Sequence, residues 1–507
     1  MDADVVIVGA GPAGLMLAGE LRLGGARVVV AEKLAHPTGQ SRGLGFTTRA
    51  METFDQRGLL PRFGALETSP MGHFGGVQFD YTVLEGAHFG ARGVPQSKTE
   101  AVLEDWATEL GADIRRGWEF RSLTDHGDRV EVTALADGSE QRLTAAYVVG
   151  CDGGQSAVRK AAGIGFPGTP ATRDMYLADI EGIDLAPRFL GERMPAGMVM
   201  AAPLGGGTHR IIVCPHDTAP RERGEAIGFD EVADAWRRIT GEDISGATAT
   251  WVSSFTDATR QATAYRAGRV LLAGDAAHIH LPAGGQGLSF GVQDSANLGW
   301  KLAAEVAGWA PAGLLDTYHG ERHPAGQRLL ANTRVQGMSF LGGEEADPLR
   351  ELLTELLAYD DVKRHLAGRV SHVDVRYEVG PGDHPLLGRR LPPRTLRTPA
   401  GPVTTAELLH PGQGVLLDLT GHPALPEEVA GWKDRVTAVS AVPEPVDGAK
   451  AAADPLADTA ALLVRPDGYV VWAVWADDGA HDGAGEGTGE LTDALRRWFG
   501  SPGTYGA

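Results

Sequence analysis

The chain has 507 residues, too many for a single hydrophobic core, so two or three domains are expected. Its 46 basic and 66 acidic residues leave a net charge of −20, which argues against nucleic acid and anionic membrane as partners, since both require a basic face. Cys151 and Cys214 are the only cysteines, which excludes a disulfide framework and a cysteine-rich metal site and suits a reducing cytoplasm. The start, Met-Asp-Ala-Asp, is acidic where a signal peptide is basic, and no uninterrupted apolar run reaches bilayer length. A soluble cytoplasmic protein is expected.

The first stretch organises the rest. Val5–Val8 is a β-branched run suited to a strand buried on both faces. Gly9, Gly11 and Gly14 follow at G-x-G-x-x-G spacing, residues 12–23 have helical composition, and 28–31 returns to strand before Glu32. Gly9 allows a tight turn, Gly11 lets a pyrophosphate approach the backbone, and Gly14 lets helix and strand pack closely. The helix start offers unpaired N–H donors to phosphate, and Glu32 is placed to accept from a ribose. The context is that of a dinucleotide-binding βαβ unit, with the dinucleotide left open.

A Pro-containing loop follows, holding Gly39-Gln-Ser41-Arg42-Gly43. This fits the G-x-S-x-G nucleophile elbow, but no strand leads into the serine, so a hydrolase is disfavoured. Arg42 reads either as a partner for pyrophosphate or as a solvated loop arginine. A helical stretch runs to about 63, a β excursion covers about 72–89, and a helix is expected over 98–111. Strands are expected over 114–123, 130–135 and 143–149, the last leading into Cys151-Asp152-Gly153-Gly154. From about 167 to 265 the βα rhythm lapses. Strand-like runs at 175–180, 198–203, 209–214 and 248–255 surround one amphipathic helix at 232–239, as in an inserted antiparallel sheet. Met175, Met194, Met198 and Met200 fall there, as core filler or as a flexible lining for a planar ligand.

The βα style then returns. Residues 269–273 form a strand ending in Gly274-Asp275, and a helix opens at Gly284-Gly285-Gln286-Gly287. Asp275 is placed to bind a ribityl or ribose hydroxyl, and the helix N-terminus to stabilise negative charge on a reduced flavin ring. Helices are expected to about 369, a Pro/Gly boundary near 380–394, and then a small α/β tail with strands at 414–419, 435–442, 460–464 and 469–475 and a helix at 491–499. Lacking cysteine, the tail cannot do dithiol chemistry. Two patterns are discounted. Gly483-Ala-Gly485-Glu-Gly487 imitates a phosphate loop but sits among acids and reads as a flexible hairpin loop. His278-Ile-His280 places its rings on opposite sides of an extended segment with no third ligand nearby, so no metal site is expected.

Together, the head motif with Glu32, the segment C-D-G-G-Q-S-A-V-R-K and Gly274-Asp275-Ala-Ala-His resemble the class A flavoprotein aromatic hydroxylases, the group of p-hydroxybenzoate hydroxylase. Within that group the sequence is most similar to actinomycete hydroxylases of angucyclinones and related aromatic polyketides, through S-R-G-L-G-F-T-T-R, V-P-Q-S-K-T-E, D-Q-R-G-L-L-P-R-F and the tail's R-P-D-G. The resemblance implies an α/β fold with a Rossmann-like FAD-binding domain (1–72, 96–166 and 266–380), an inserted antiparallel-sheet substrate domain (73–95 and 167–265) and a thioredoxin-like domain without redox cysteines (395–507). It implies FAD contacts from Gly9, Gly11, Ala13, Gly14, Glu32, Lys33, Arg42, Gln96, Phe120, Asp152, Asp275, Pro282, Gly285, Gly287, Leu288 and Ser289. Ser289 stands where relatives commonly have Asn; it keeps the ability to make one hydrogen bond.

The reaction so implied is reduction of FAD by NADPH, addition of O₂ to give a C4a-hydroperoxide, and transfer of its distal oxygen to a phenolic ring. The protein positions rings and excludes water, and no catalytic triad is expected. The expected partner is a polycyclic aromatic small molecule of angucyclinone type, oxidised at the 12 or 12b region by a monomer or homodimer. Alternatives are Baeyer–Villiger insertion, hydroxylation of a rifamycin-like antibiotic, and a flavin-holding subunit without turnover. A flavin halogenase is disfavoured because W-x-W-x-I-P is absent, and a disulfide reductase because no C-x₄-C pair exists.

Overall fold

The computed structural model describes residues 1–66, 68–84, 90–221, 227–420, 425–445, 454–476 and 486–503. The acidic glycine loop expected around 483–487 lies largely outside them, as does the end of the 72–89 excursion. No helix among the described residues is long and apolar enough to cross a membrane.

Val5–Val8, fully buried, is the middle of a parallel sheet. Tyr147–Gly150 and then Val270–Leu272 lie on one side of it, and Val28–Glu32 and then Asp113–Arg116 on the other. The short Arg266–Ala267 closes one edge antiparallel. Helices Pro12–Leu23, Gln96–Glu109 and Gln286–Val306 cover this sheet, which explains its near-continuous valine runs. The single strand expected over 114–123 is two. Gly117, with φ of 77°, breaks it into Asp113–Arg116 of the parallel sheet and Glu119–Asp125, which begins a meander with Val130–Ala136 and Ser139–Ala145.

The insert is a five-stranded antiparallel sheet in the order Arg188–Met194, Gly197–Gly205, Thr208–Pro215, Asp174–Glu181, Thr248–Thr256. Four of the five strands were legible. The edge strand Arg188–Met194 is half exposed and bulged, so it carries no alternating pattern. Helix Phe229–Thr240 covers one face, burying Val232, Ala235, Trp236 and Ile239 against Tyr176, Ala178, Val199 and Val213. On the other face, Met175, Met198 and Cys214 are buried against Leu281, Ala283 and Leu341, with Met200, Ile212 and Phe255 partly buried beside them. Met175 and Met198 are therefore core residues, Met200 borders that core, and Met194 packs on the helix side.

The described residues of 73–95, expected in the substrate domain with 167–265, pair outside the five-stranded sheet. Met71–Phe74 and Val77–Asp80 form their own hairpin, closed by Gly75 and Gly76 at φ of 58° and 90°. Its Phe74 and Phe79 pack against Leu353 of helix Asp347–Leu356, Leu357 just beyond its end, and Val370 of helix Asp360–Ser371. Ala91–Gly93 pairs instead with Gly45–Phe46 and Thr68–Ser69. A tight glycine turn satisfies a hairpin locally, so its apolar side was free to face helices instead of the larger sheet.

In the tail, Gly414–Asp418 pairs parallel with Val436–Ser440 and antiparallel with Thr459–Val464, which pairs with Val470–Trp475. With helix Glu486–Phe499 this is a thioredoxin-like arrangement. A hairpin of Thr395–Thr398 and Gly401–Thr404, not expected from the sequence, flanks it. A buried polar network fastens the tail to the rest, with Arg465–Glu321 as the ion pair that crosses. Arg465 meets Glu321 at 2.6 Å and Asp467 at 2.6 Å, and Lys301 meets Glu321 at 2.8 Å. Arg57, paired with Glu20 at 2.6 Å, donates to the carbonyls of Leu409 and Pro466.

Candidate cofactor site

The three sequence segments meet at the carboxyl ends of the parallel strands. At Gly9, φ is 106° and a Cβ would stand 2.5 Å from the Cys151 carbonyl oxygen; at Gly14 it would stand 2.0 Å from the Gly9 oxygen. These two glycines are demanded by backbone packing. A Cβ on Gly11 would meet nothing within 4 Å, so this glycine keeps a surface open at the start of helix Pro12–Leu23, which has no side-chain cap. Unpaired N–H groups face outward there, as anion binding requires. Glu32 stands at the rim, its carboxylate accepting from the N–H of Ala10 (2.7 Å) and Leu34 (2.9 Å). Each oxygen keeps acceptor capacity for a hydroxyl. Lys33 beside it is exposed.

In the Asp-Gly segment, Asp152 Oδ2 accepts from the N–H of Ala157 (2.6 Å) and Val158 (3.1 Å), capping helix Ala157–Ala161. Its Oδ1 is buried without a protein partner. Arg159, to which the sequence reading gave no role, is buried and stacked 3.6 Å from the Phe166 ring centroid. It donates to the Ala276 carbonyl (2.7 Å) and the Gly154 carbonyl (2.9 Å), tying the Asp-Gly segment to the Gly-Asp segment.

Gly274, at φ of 62°, approaches the first helix so closely that a Cβ would lie 3.0 Å from that of Ala13. The next residue, Asp275, is exposed to solvent while protein packs around its carboxyl. Burial pushes its carboxyl up from the usual range, and His278 and Arg42 oppose that shift. Behind it, Asp294 accepts from Arg322 Nε (2.7 Å), His278 Nε2 (2.7 Å) and the Gly274 N–H (3.1 Å). Arg322 continues to the Tyr377 hydroxyl at 3.0 Å. His278 is thus committed to a carboxylate. His280 Nδ1 donates to the Leu281 carbonyl at 2.7 Å, and burial pushes its pKa down to about 4. Among the described residues no cluster has the donors to hold a metal ion.

A left-handed pair, Gly284 (φ 70°) and Gly285 (φ 64°), turns the chain into helix Gln286–Val306, whose start again lacks a side-chain cap. Pro282 and Gly285 are exposed, and Gly287 and Leu288 half-buried. Leu288 packs on Gly43, where a Cβ would be 3.3 Å away, and the Gly43 N–H donates to Gln96 Oε1 at 3.3 Å. Leu288, Gln96 and the Arg42 loop are therefore neighbours. Two residues sit differently from the expectation. Ser289 is fully buried with its Oγ accepting from the Thr47 N–H (2.9 Å), so its side chain holds a turn instead of facing a cofactor. Phe120 is 8% exposed and packs mainly in the core.

Arg42 is exposed and donates to Ser253 Oγ of the inserted sheet at 3.3 Å. Its loop is held from that side as well: Arg210, buried, pairs with Asp179 through two contacts of 2.7 Å and donates to the Ser41 carbonyl. Ser41 Oγ engages Ser97 at 3.0 Å, a structural hub and not a nucleophile on a strand end. Sequence reasoning missed Arg159, Arg210, Asp294 and Arg322. Arg159 lies within the Asp-Gly segment but nothing local marks its reach to Ala276, and the partners of Arg210, Asp294 and Arg322 are 16 to 169 residues away with no local motif to mark them.

The residues present fit a flavin dinucleotide: an open glycine position, two uncapped helix starts, a partnerless Asp152 oxygen and the exposed Asp275 carboxylate beside them. Comparison with known proteins agrees. Residues 2–333 match the FAD binding domain family, and residues 384–502 match the aromatic-ring hydroxylase C-terminal family. The chain belongs to the FAD-dependent aromatic-ring hydroxylases, and it is a flavin-dependent aromatic monooxygenase. It is 46% identical over 481 residues to a rifampicin monooxygenase of Streptomyces venezuelae, covering 93% of this chain and 95% of that one. It is 43% identical over 516 residues to the 12-dehydrotetracycline 5-monooxygenase/anhydrotetracycline 6-monooxygenase of Streptomyces rimosus, covering 99% and 100%. The crystal structure of CabE, an aromatic hydroxylase from angucycline biosynthesis, matches with a TM-score of 0.93 and 57% identity over 99% of this chain and 100% of that one.

Proposed function

We propose that this enzyme uses NADPH and O₂ to hydroxylate a polycyclic aromatic polyketide of angucyclinone type in the 12 or 12b region. The cofactor half is supported by the close approach of Gly9 to Cys151 and of Gly274 to Ala13, which brings the three segments together, with Gly11 open, Asp152 Oδ1 without a protein partner and two helix starts uncapped. The substrate half rests on the similarity to CabE and to the tetracycline oxygenase. In this reading the bound FAD supplies hydride acceptance and oxygen activation. The chain's own residues bind and orient it. The N–H groups after Gly11 take the pyrophosphate, Glu32 the ribose, Asp275 the ribityl chain, and the helix start after Gly285 the pyrimidine edge. NADPH binds transiently near Arg42, whose loop the inserted sheet holds through Arg210 and Ser253. The half-buried Met200, Ile212 and Phe255 offer an apolar wall for a planar ring system and exclude water there. The division into a cofactor domain at 1–72, 96–166 and 266–380, a substrate domain at 73–95 and 167–265, and a tail at 395–507 belongs to the same reading.

A second reading, oxidation of a rifamycin-like antibiotic or Baeyer–Villiger insertion, is favoured by the identity to the rifampicin monooxygenase. Incubation with NADPH, O₂ and a panel of tetracyclic polyketides plus rifampicin separates them. A one-oxygen mass gain on a tetracycle, with an intact carbon skeleton by NMR, supports the first reading. Gain on rifampicin alone, or a ring-expanded skeleton, overturns it.

A further inference from the structure

His280 stands at the start of helix Gln286–Val306 with one ring nitrogen unspent. Its Nδ1 lies 2.7 Å from the Leu281 carbonyl oxygen, which can only accept, so Nδ1 carries the proton and Nε2 a lone pair. Burial pushes the ring's pKa down to about 4, which keeps this tautomer neutral near pH 7. His280 is half-buried, and among the described contacts its Nε2 has no hydrogen-bond partner, yet it is not sealed from solvent. His278 differs on both counts: its Nε2 is committed to Asp294 at 2.7 Å and its Nδ1 is closed off.

The free nitrogen has a definite direction. The Ile279 side chain points at the Asp-Gly segment, where a Cβ on Gly154 would stand 2.9 Å from its Cγ2. The His280 ring points at the helix start, where a Cβ on Gly287 would stand 3.3 Å from Nε2. Glycine at 287 therefore lets the imidazole come up against the helix backbone with its lone pair uncovered. The next residue, Leu281, packs with Met175 and Met198 of the inserted sheet, so His280 stands at the junction of that sheet with the uncapped helix start. The unpaired N–H groups of a helix start are donors and suit carbonyls and anions. A neutral acceptor set beside them adds the complement of a hydroxyl proton.

We propose that His280 is a ligand-binding residue whose Nε2 accepts a hydrogen bond from a hydroxyl seated at this helix start. The reaction brings two such hydroxyls to the site, the ribityl chain of FAD and the phenol of the aromatic substrate. The inference rests on the reading that Gly285 to Leu288 border FAD.

Two variants separate this role from mere bracing of the Leu281 carbonyl. His280→Asn places an amide donor where Nδ1 stands, so it keeps the brace and loses the acceptor. His280→Gln reaches further and places its Oε1 near the position of Nε2, so it keeps the acceptor and loses the brace. Titration of the apoprotein with FAD, followed by flavin fluorescence, reads the ribityl hydroxyl. Binding of hydroxyanthraquinone against unsubstituted anthraquinone to the FAD-loaded enzyme, followed by flavin absorbance, reads the phenol. His280→Asn should lose about tenfold in one of these, the scale of one hydrogen bond, while His280→Gln stays within about threefold of wild type. Weakened FAD binding assigns the ribityl chain, and a lost preference for the hydroxylated ring assigns the phenol. Equal behaviour of the two variants, or a larger loss in His280→Gln, overturns the proposal. A wild type that takes up no FAD overturns the cofactor reading and this inference with it; full wild-type uptake with no loss in His280→Asn overturns this inference alone.

Discussion

Asp294 is where the Gly-Asp segment is most exposed to a single change. Asp294 and Arg322 are each 0% exposed, and Asp294 is the only carboxylate within hydrogen-bonding distance of Arg322 among the described contacts. Asp294→Asn preserves shape but leaves the guanidinium buried and unneutralised, which costs about 3–5 kcal/mol when one partner of a buried pair is removed. At ~2–4 °C per kcal/mol for a domain of 150–250 residues, the apparent unfolding temperature should drop ~6–20 °C. Thermal unfolding followed by flavin fluorescence measures it. The pH dependence fixes the cause. Burial alone would raise the Asp294 pKa, yet Arg322 and His278 hold it below the usual carboxylate value. Its contribution is therefore complete above the unfolded pKa of about 3.9 and lost as pH falls toward the lower folded value. The gap between wild type and variant should be constant near neutrality and close in acid. A shift of under about 2 °C at pH 7, or a gap that widens in acid, refutes the reasoning.

Asp275→Ala should purify with little bound flavin, and near-full occupancy would contradict its assignment. Arg42→Ala should slow flavin reduction by NADPH or weaken FAD binding; unchanged values of both would remove it from the site. Gly11→Ala and Gly14→Ala should differ in kind. The first has φ of −77° and open space around its Cβ, so it should fold normally and lose FAD affinity by tenfold or more, whereas the second, with 2.0 Å to the Gly9 oxygen, should not fold stably. Equal stability of the two proteins would show that the close approach is absent. Burial pushes the Cys214 thiol up to about 12 and Cys151 higher, so neither should react with a thiol-exchanging dye at pH 8 in the native state, and both should react once unfolded.

The parallel sheet and its glycine turns were legible because each depends on neighbours in sequence: Val5–Val8 on β-branched composition, and Gly9, Gly11 and Gly14 on spacing alone. Even the different duties of those glycines follow from the motif. What escaped was set by distant partners. Nothing around Asp294 marks it as the acceptor for Arg322, and nothing around Arg210 says that it grips the Ser41 carbonyl. Ser289 illustrates the limit of a motif position: the pattern aimed it at the cofactor, and the fold spends its hydroxyl on Thr47. The hairpin at Met71–Phe74 and Val77–Asp80 was visible as strand, but the surface receiving it lies more than 260 residues later and could not be read locally. Arg188–Met194 gave no signal because a half-exposed, bulged edge strand needs no alternation.

The central claim is that the three glycine-and-aspartate segments fold together into one FAD site. Titration of the apoprotein with FAD, followed by flavin fluorescence and by analysis of the cofactor released on denaturation, tests it most directly. The account predicts stoichiometric uptake of FAD with wild type and none approaching it with Asp275→Ala. A wild-type protein that stays colourless and leaves flavin fluorescence unchanged would contradict it.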